Sequence, residues 1–181
     1  MLKDMIKTGL FLLVFAALSG LMLAFCESYT APEIEKIKEQ KASEAMSKAL
    51  PSANNFEPSE LGHIGKDKSN NVVGMVIKTK PKSYGKELEM LVGIENNGKV
   101  SGVEILSHSE TPGLGAKVTS DKFKNNFSKL IQENPNPIFK IKKEGGDVDA
   151  ITAATITSKA FCKGINEALD KYKMASNGGN K

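Results

Sequence analysis

Nineteen consecutive uncharged residues, Thr8 to Cys26, constrain this chain more than any other feature. As a helix rising about 1.5 Å per residue, the run covers roughly 28 Å, close to the ~30 Å hydrocarbon thickness of a bilayer. Lys7 and Glu27 bound it, and Lys3 lies just upstream. Lysines on the N-terminal flank hold that end on the cytoplasmic side and send the remaining chain outward. A cleaved signal peptide is the competing reading. Its apolar core is usually shorter, about 7–15 residues, with a small residue ahead of the cut. Here the run closes on Leu23-Ala24-Phe25-Cys26, with bulky Phe25 where a small residue is wanted. This favours a retained anchor and argues against lipidation at Cys26.

The chain has 181 residues, enough for one ordinary domain beside the anchor. Forty per cent hydrophobic and 25% charged residues describe a globular protein. The net charge of +4 rests on lysines alone, because no arginine is present. Those lysines are scattered, without a dominant block or interleaved aromatics, so no nucleic-acid footprint is expected. The absent arginine also removes the bidentate clamp that often grips a free phosphate. Cys26 and Cys162 stand at opposite ends and the histidines are His63 and His108 alone, so no His/Cys metal centre is expected.

Outside the anchor, Ala31 to Ala49 reads as a helix with Pro32 in its first turn. Pro51 to Asn71, rich in Ser, Asn, Gly and Pro, reads as loop. Val72 to Lys80, Glu87 to Glu95 and Lys99 to Leu106 read as strands, and Asn96-Asn97-Gly98 joins the last two as a hairpin. Asp121 to Ile131 carries Phe123, Phe127, Leu130 and Ile131 at helical spacing. Pro135 to Lys142 gives a further short strand, followed by a turn at Gly145-Gly146. Phe161, Ile165, Leu169 and Tyr172 form one stripe along a C-terminal helix. The pattern predicts an α+β domain on an antiparallel sheet with packed helices, preceded by one transmembrane helix. The expected division is an N-terminal end and anchor over 1–27, a helical and loop connector over 28–70, the domain over 71–175, and a flexible tail over 176–181.

Two segments carry chemistry. Asp149-Ala150-Ile151-Thr152-Ala153-Ala154-Thr155-Ile156-Thr157-Ser158 sets three threonines and a serine just ahead of the last helix. Ordinary capping of free N–H groups accounts for such residues, yet the same N–H groups and the helix dipole also welcome a phosphate. His108-Ser109-Glu110-Thr111-Pro112-Gly113-Leu114-Gly115-Ala116-Lys117 directly follows a predicted strand. Pro112, Gly113 and Gly115 make a turn with close backbone access, and Leu114 offers an apolar face to a flat ring. A plain surface turn remains the alternative. Lys117 and Lys159 can pair with a phosphate, with solvated lysines as the simpler account. Cys162 reads as a small buried hydrophobe, and His108 as a bystander.

Taken together, Glu110-Thr111-Pro112-Gly113-Leu114-Gly115 followed by Asp149-x-x-Thr152-Ala153-Ala154-Thr155-x-Thr157 resembles the FMN-binding domain of the RnfG family, the G-type subunits of the Rnf electron transport complex. The related NqrC family, the C-type subunits of the sodium-pumping NADH:quinone reductase, shares both motifs. The resemblance covers essentially the whole chain. It implies FMN joined through its phosphate to the Thr157 hydroxyl by a separate flavin transferase that recognises the motif, Asp149 included. It further implies Thr152, Thr155 and Ser158 near the phosphate or ribityl chain, and Glu110, Thr111, Pro112, Gly113, Leu114 and Gly115 around the isoalloxazine ring. One departure stands out: the family usually carries Gly where this chain has Ala153. A methyl is tolerable there unless the backbone needs positive φ.

The implied role is an electron relay at the outer face of the cell membrane, within a complex that moves electrons between ferredoxin and NAD and couples this to sodium or proton transport. Its implied partners are polytopic membrane subunits, iron–sulfur subunits, the transferase and the lipid bilayer. A single apolar helix without internal charge makes no ion path, so pumping falls to the polytopic partners. The rivals are the NqrC role in the quinone reductase, a stand-alone flavinylated module, and an anchored scaffold in which Thr157 only caps a helix.

Overall fold

The computed structural model describes residues 1–178 and forms two compact units, Met1–Lys41 and Ala42 onward. The first unit is helical, the greater part of α1 (Leu2–Ala49). Its apolar side chains, including Leu12, Leu13, Phe15, Leu21 and Phe25, all face outward. It is the one helix among the described residues long and apolar enough to cross a membrane, with a mean hydropathy of 2.4. Pro32 lies inside α1 rather than opening a second helix. Its missing N–H leaves the Ser28 carbonyl without its usual donor. Nearby Ser28 and Thr30 turn their hydroxyls onto the Phe25 and Cys26 carbonyls.

The second unit is built on a five-stranded antiparallel sheet in sequential order, β1 (Asn55–Ser59), β2 (Gly62–Lys66), β3 (Val72–Thr79), β4 (Glu89–Glu95) and β5 (Val100–Ser107). The three strands expected over 72–106 are present, and Gly98 takes φ +81° in the hairpin joining β4 to β5. Pro51 to Asn71, expected as loop, instead supplies β1 and β2. The signal was weak because β1 is a largely exposed edge strand, where Pro58 can sit without breaking a ladder. Gly65 in β2 lies so close to Leu50 that a Cβ there would come within 2.5 Å of the leucine side chain.

Alternation along β3 and β4 splits the core. Met75, Ile77, Met90, Val92 and Ile94 meet Phe161, Ile165 and Ala168 of α3 (Thr155–Gly178) and Phe127 of α2 (Asp121–Glu133). Val76 and Leu91 meet Ala49, Leu50 and Ala53 on the other side. The Phe161 ring receives Phe123 and Phe127 edge-on at 5.1 and 5.0 Å, the favourable geometry for aromatic pairs. Ser120 caps α2, accepting the Phe123 N–H.

Pro135 to Lys142 is not a strand. Only Ile141 pairs, in a single parallel bridge to Val148. The Ile138 N–H that a ladder would use is taken by the Asp147 carboxylate at 2.7 Å. At the C-terminus α3 runs on through Gly178, so the expected flexible tail from 176 is helical over its first part, and 179–181 lie outside the described residues. The same helix starts at Thr155, which puts Thr155, Thr157 and Ser158 inside its first turn rather than ahead of it.

Candidate functional site

The two motif segments meet at the start of α3. The turn over 151–154 is closed by the Ala154 N–H on the Ile151 carbonyl at 3.0 Å. Its third residue, Ala153, takes φ +61°, the left-handed conformation that a turn with positive φ at this place demands. Ser158 braces this turn from within the helix. Its hydroxyl accepts the Ile151 N–H at 2.9 Å and donates to the Ala154 carbonyl at 3.0 Å, and its own N–H is also spent on Ala154. The first-turn amides left without an intrahelical acceptor are therefore those of Thr155, Ile156 and Thr157.

Opposite lies the segment leaving β5. Glu110 N–H donates to His108 Nδ1 at 3.3 Å. Gly113 takes φ +77°, and the Leu114 and Ala116 N–H groups both return to the Thr111 carbonyl before a 3-10 turn over Gly115–Thr119. The Thr157 hydroxyl donates to Glu110 Oε2 at 2.7 Å, across 47 residues of sequence. Gly115 closes the arrangement: a Cβ there would fall 2.2 Å from Glu110 Oε2 and 2.6 Å from Thr157 Oγ1. Only glycine lets the turn lie over that pair.

Burial works against the charge of Glu110 and is the largest single influence on it. Ser83, the Thr157 hydroxyl, the Gly85 amide and His108 together outweigh burial and hold the carboxyl below its ordinary value. Ser83 acts by proximity, its buried hydroxyl lying outside hydrogen-bonding geometry. Two buried polar side chains thus share one short contact at the base of a cavity of about 460 Å³. That volume falls within the range of small-molecule sites. Thr157, 1% exposed, forms the floor with Glu110 and Gly115. Thr155 and Thr111 line the walls, and the rim carries three exposed apolar side chains, Leu114 at 42%, Ile156 at 53% and Tyr84 at 71%.

Of the residues picked out by sequence, Glu110, Thr111, Leu114, Gly115, Thr155 and Thr157 line this one cavity. Pro112, Gly113 and Thr152 are exposed and shape the turns without lining it. Asp149 stands apart, exposed and paired with Lys142 at 2.8 Å, beside a surface recess against α2. Lys117 is exposed, and Lys159 pairs with Glu144. Cys162 is buried in α3, where burial pushes its thiol up to about 11, as suits an inert packing residue. Tyr84 and Ile156 went unnoticed in the sequence. Tyr84 falls outside both motifs, and Ile156 resembles any apolar helix residue.

The cavity fits a flavin nucleotide. First-turn amides and a threonine hydroxyl offer donors of the kind a phosphate takes, glycine keeps side-chain bulk out of the way, and an apolar rim suits a flat ring. Comparison with known proteins points the same way. Residues 83–170 match the FMN-binding domain family, and residues 1–48 match the RnfG N-terminal region. The G-type subunit of the Na(+)-translocating ferredoxin:NAD(+) oxidoreductase complex of Acetobacterium woodii is 35% identical, over 96% of this chain and 94% of its own length. The G-type subunit of the ion-translocating oxidoreductase complex of Methanosarcina acetivorans is 33% identical, over 97% and 98%. The G-type subunit of the proton-translocating ferredoxin:NAD(+) oxidoreductase complex of Clostridium ljungdahlii is 30% identical, over 98% and 100%.

Proposed function

Since this chain belongs to the RnfG family, the G-type subunits of ion-translocating oxidoreductase complexes, and carries an FMN-binding domain, we propose that it is a membrane-anchored electron relay whose FMN is esterified to Thr157. Relatives of this type that match over nearly their full length favour the role over that of NqrC in the quinone reductase. Bound FMN supplies the redox chemistry, accepting and passing on electrons, while the protein supplies position and electrostatics. The observation that carries the reading is the placement of the Thr157 hydroxyl. It lies at the base of a cavity that both motif segments line, in the first turn of a long helix.

Each residue then has a task. Thr157 provides the oxygen that bonds to phosphorus: the transferase cuts the pyrophosphate link of a flavin dinucleotide, the other nucleotide leaves with the bridging oxygen, and the threonine proton passes to a base. The amides of Thr155, Ile156 and Thr157 face the phosphate at the positive end of α3. Thr155 stands within reach of the phosphate or ribityl chain, Gly115 leaves the space they need, and Leu114 packs on the ring. Asp149, exposed beside the turn, serves recognition by the flavin transferase rather than the cofactor. In the ester Thr157 no longer has the proton it gives to Glu110. The carboxylate must then find another donor or take up a proton beside the phosphodiester.

The anchor is residues 1–27, with its N-terminus cytoplasmic and the flavin domain outside, supported by Lys3 and Lys7 ahead of an apolar helix. Electrons pass between this flavin and redox centres of partner subunits, iron–sulfur subunits among them, and ion movement belongs to polytopic partners. Co-expression with a flavin transferase followed by denaturing electrophoresis tests the linkage: the wild-type band fluoresces after boiling and Thr157→Ala is dark. A dark wild-type band refutes the covalent reading. Orientation is read separately. Protease outside spheroplasts digests the domain if it faces outward, and a protected domain reverses the topology.

A further inference from the structure

Tyr84 belongs to neither motif, yet it lines the same cavity as Thr157. It sits on a firmly held turn. The Ser83 N–H donates to the Lys86 carbonyl at 2.8 Å, and the strands on either side are tied by a bridge between Lys82 and Glu87. Gly85 presses this turn against the segment leading to Glu110, so closely that a Cβ on Gly85 would lie 2.0 Å from the Ser109 carbonyl oxygen. The backbone of Tyr84 is therefore fixed while its ring stands 71% exposed at the rim. No core contact accounts for a large aromatic held out in water at this place. Leu114 and Ile156, also exposed, reach the same rim from two other segments. The match to the FMN-binding domain begins at residue 83 and so takes in this turn.

We propose that Tyr84 is the aromatic surface on which the flavin ring stacks, positioning it over the cavity mouth, an inference that rests on the flavin reading above. An FMN held by its phosphate at the floor has its ring at the far end, where Leu114 and Ile156 make the rim apolar. Stacked aromatic rings attract beyond their buried area, and the phenol keeps its polar tip in water. The turn geometry makes Tyr84 a positioning residue with little share in folding.

Full-length protein, flavinylated in cells and purified in detergent, tests this in Tyr84→Leu and Tyr84→Phe, with Tyr172→Phe as a remote control. A phenol stacked on an excited flavin quenches its fluorescence by lending an electron and taking it back, with no net redox change. Tyr84→Leu and Tyr84→Phe should brighten the flavin several-fold and lengthen its lifetime, with the FMN mass on the Thr157 peptide unchanged and Tyr172→Phe like wild type. Brightness equal to wild type at equal FMN load overturns the role of Tyr84 and leaves the covalent linkage standing. A wild-type protein with no FMN mass overturns the parent reading instead. Because Tyr84 is exposed, the variants fold, and thermal melting of each confirms that fluorescence changes are local.

Discussion

Ala153 holds a left-handed backbone that an L side chain rarely adopts, φ +61°, at the tip of the turn feeding α3. A methylated residue there costs on the order of 1–2 kcal/mol. Ala153→Gly removes that cost and gives back part of it as greater freedom of the unfolded chain. The variant should be more stable by roughly 0.5–1 kcal/mol, measured as a higher urea midpoint, and should take up FMN at least as fast as wild type; a lower midpoint contradicts the strain. Glu110 gives a pH prediction. Burial raises its pKa, but its partners lower it further, so the folded value lies below the unfolded one. Its contribution is fully present above the ordinary carboxylate pKa of about 4.3 and is lost as pH falls through the folded value. Unmodified Glu110→Gln should therefore lose less stability than wild type between about pH 7 and pH 3. With FMN esterified to Thr157 as proposed, a phosphodiester beside the carboxylate is a like charge that raises its pKa, so there the substitution should cost less or stabilise. Melting curves of both forms at both pH values decide it. At this scale the sequence revealed the motif residues themselves. It could not reveal that Glu110 and Thr157 touch, because 47 residues separate them and no local pattern encodes the contact.

Among the elements, long regular ones were the most legible. Period-two alternation identified β3, β4 and β5, the Asn-Asn-Gly turn identified their hairpin, and helical spacing identified α2 and α3. Elements held by their neighbours were not. The edge strand β1 has little apolar pattern of its own and exists because β2 supplies its ladder. The strand expected over 135–142 does not form, because Asp147 takes the backbone donor at Ile138. Close packing between elements supplies a prediction here. A Cβ on Gly93 of β4 would fall 2.0 Å from the Ala49 carbonyl oxygen, the same oxygen that accepts the Ser101 hydroxyl at 2.6 Å. Gly93→Ala should force the end of α1 and Leu50 off this face of the sheet, destabilising the domain by about 1–3 kcal/mol. An unchanged denaturant midpoint would show that the backbone yields without cost. No such loss is expected from Gly98→Ala through crowding, since nothing lies within 4 Å of that position; any loss there comes from its φ of +81°.

For the whole molecule, the apolar run and the α+β pattern together marked an anchored domain, and the structure supplies both an exposed apolar helix and the antiparallel sheet. The start of the compact unit at Ala42 was harder to see, since the first two strands lie within a stretch of loop-like composition. What the fold does with its parts is to bring two distant segments over one hydroxyl. The most direct test is mass spectrometry of the full-length protein from cells that contain a flavin transferase, followed by fragmentation of the peptide bearing residues 149–159. The account predicts an FMN adduct located on Thr157, absent in Thr157→Ala. An unmodified peptide from such cells, or an adduct on Thr152 or Thr155 instead, contradicts it.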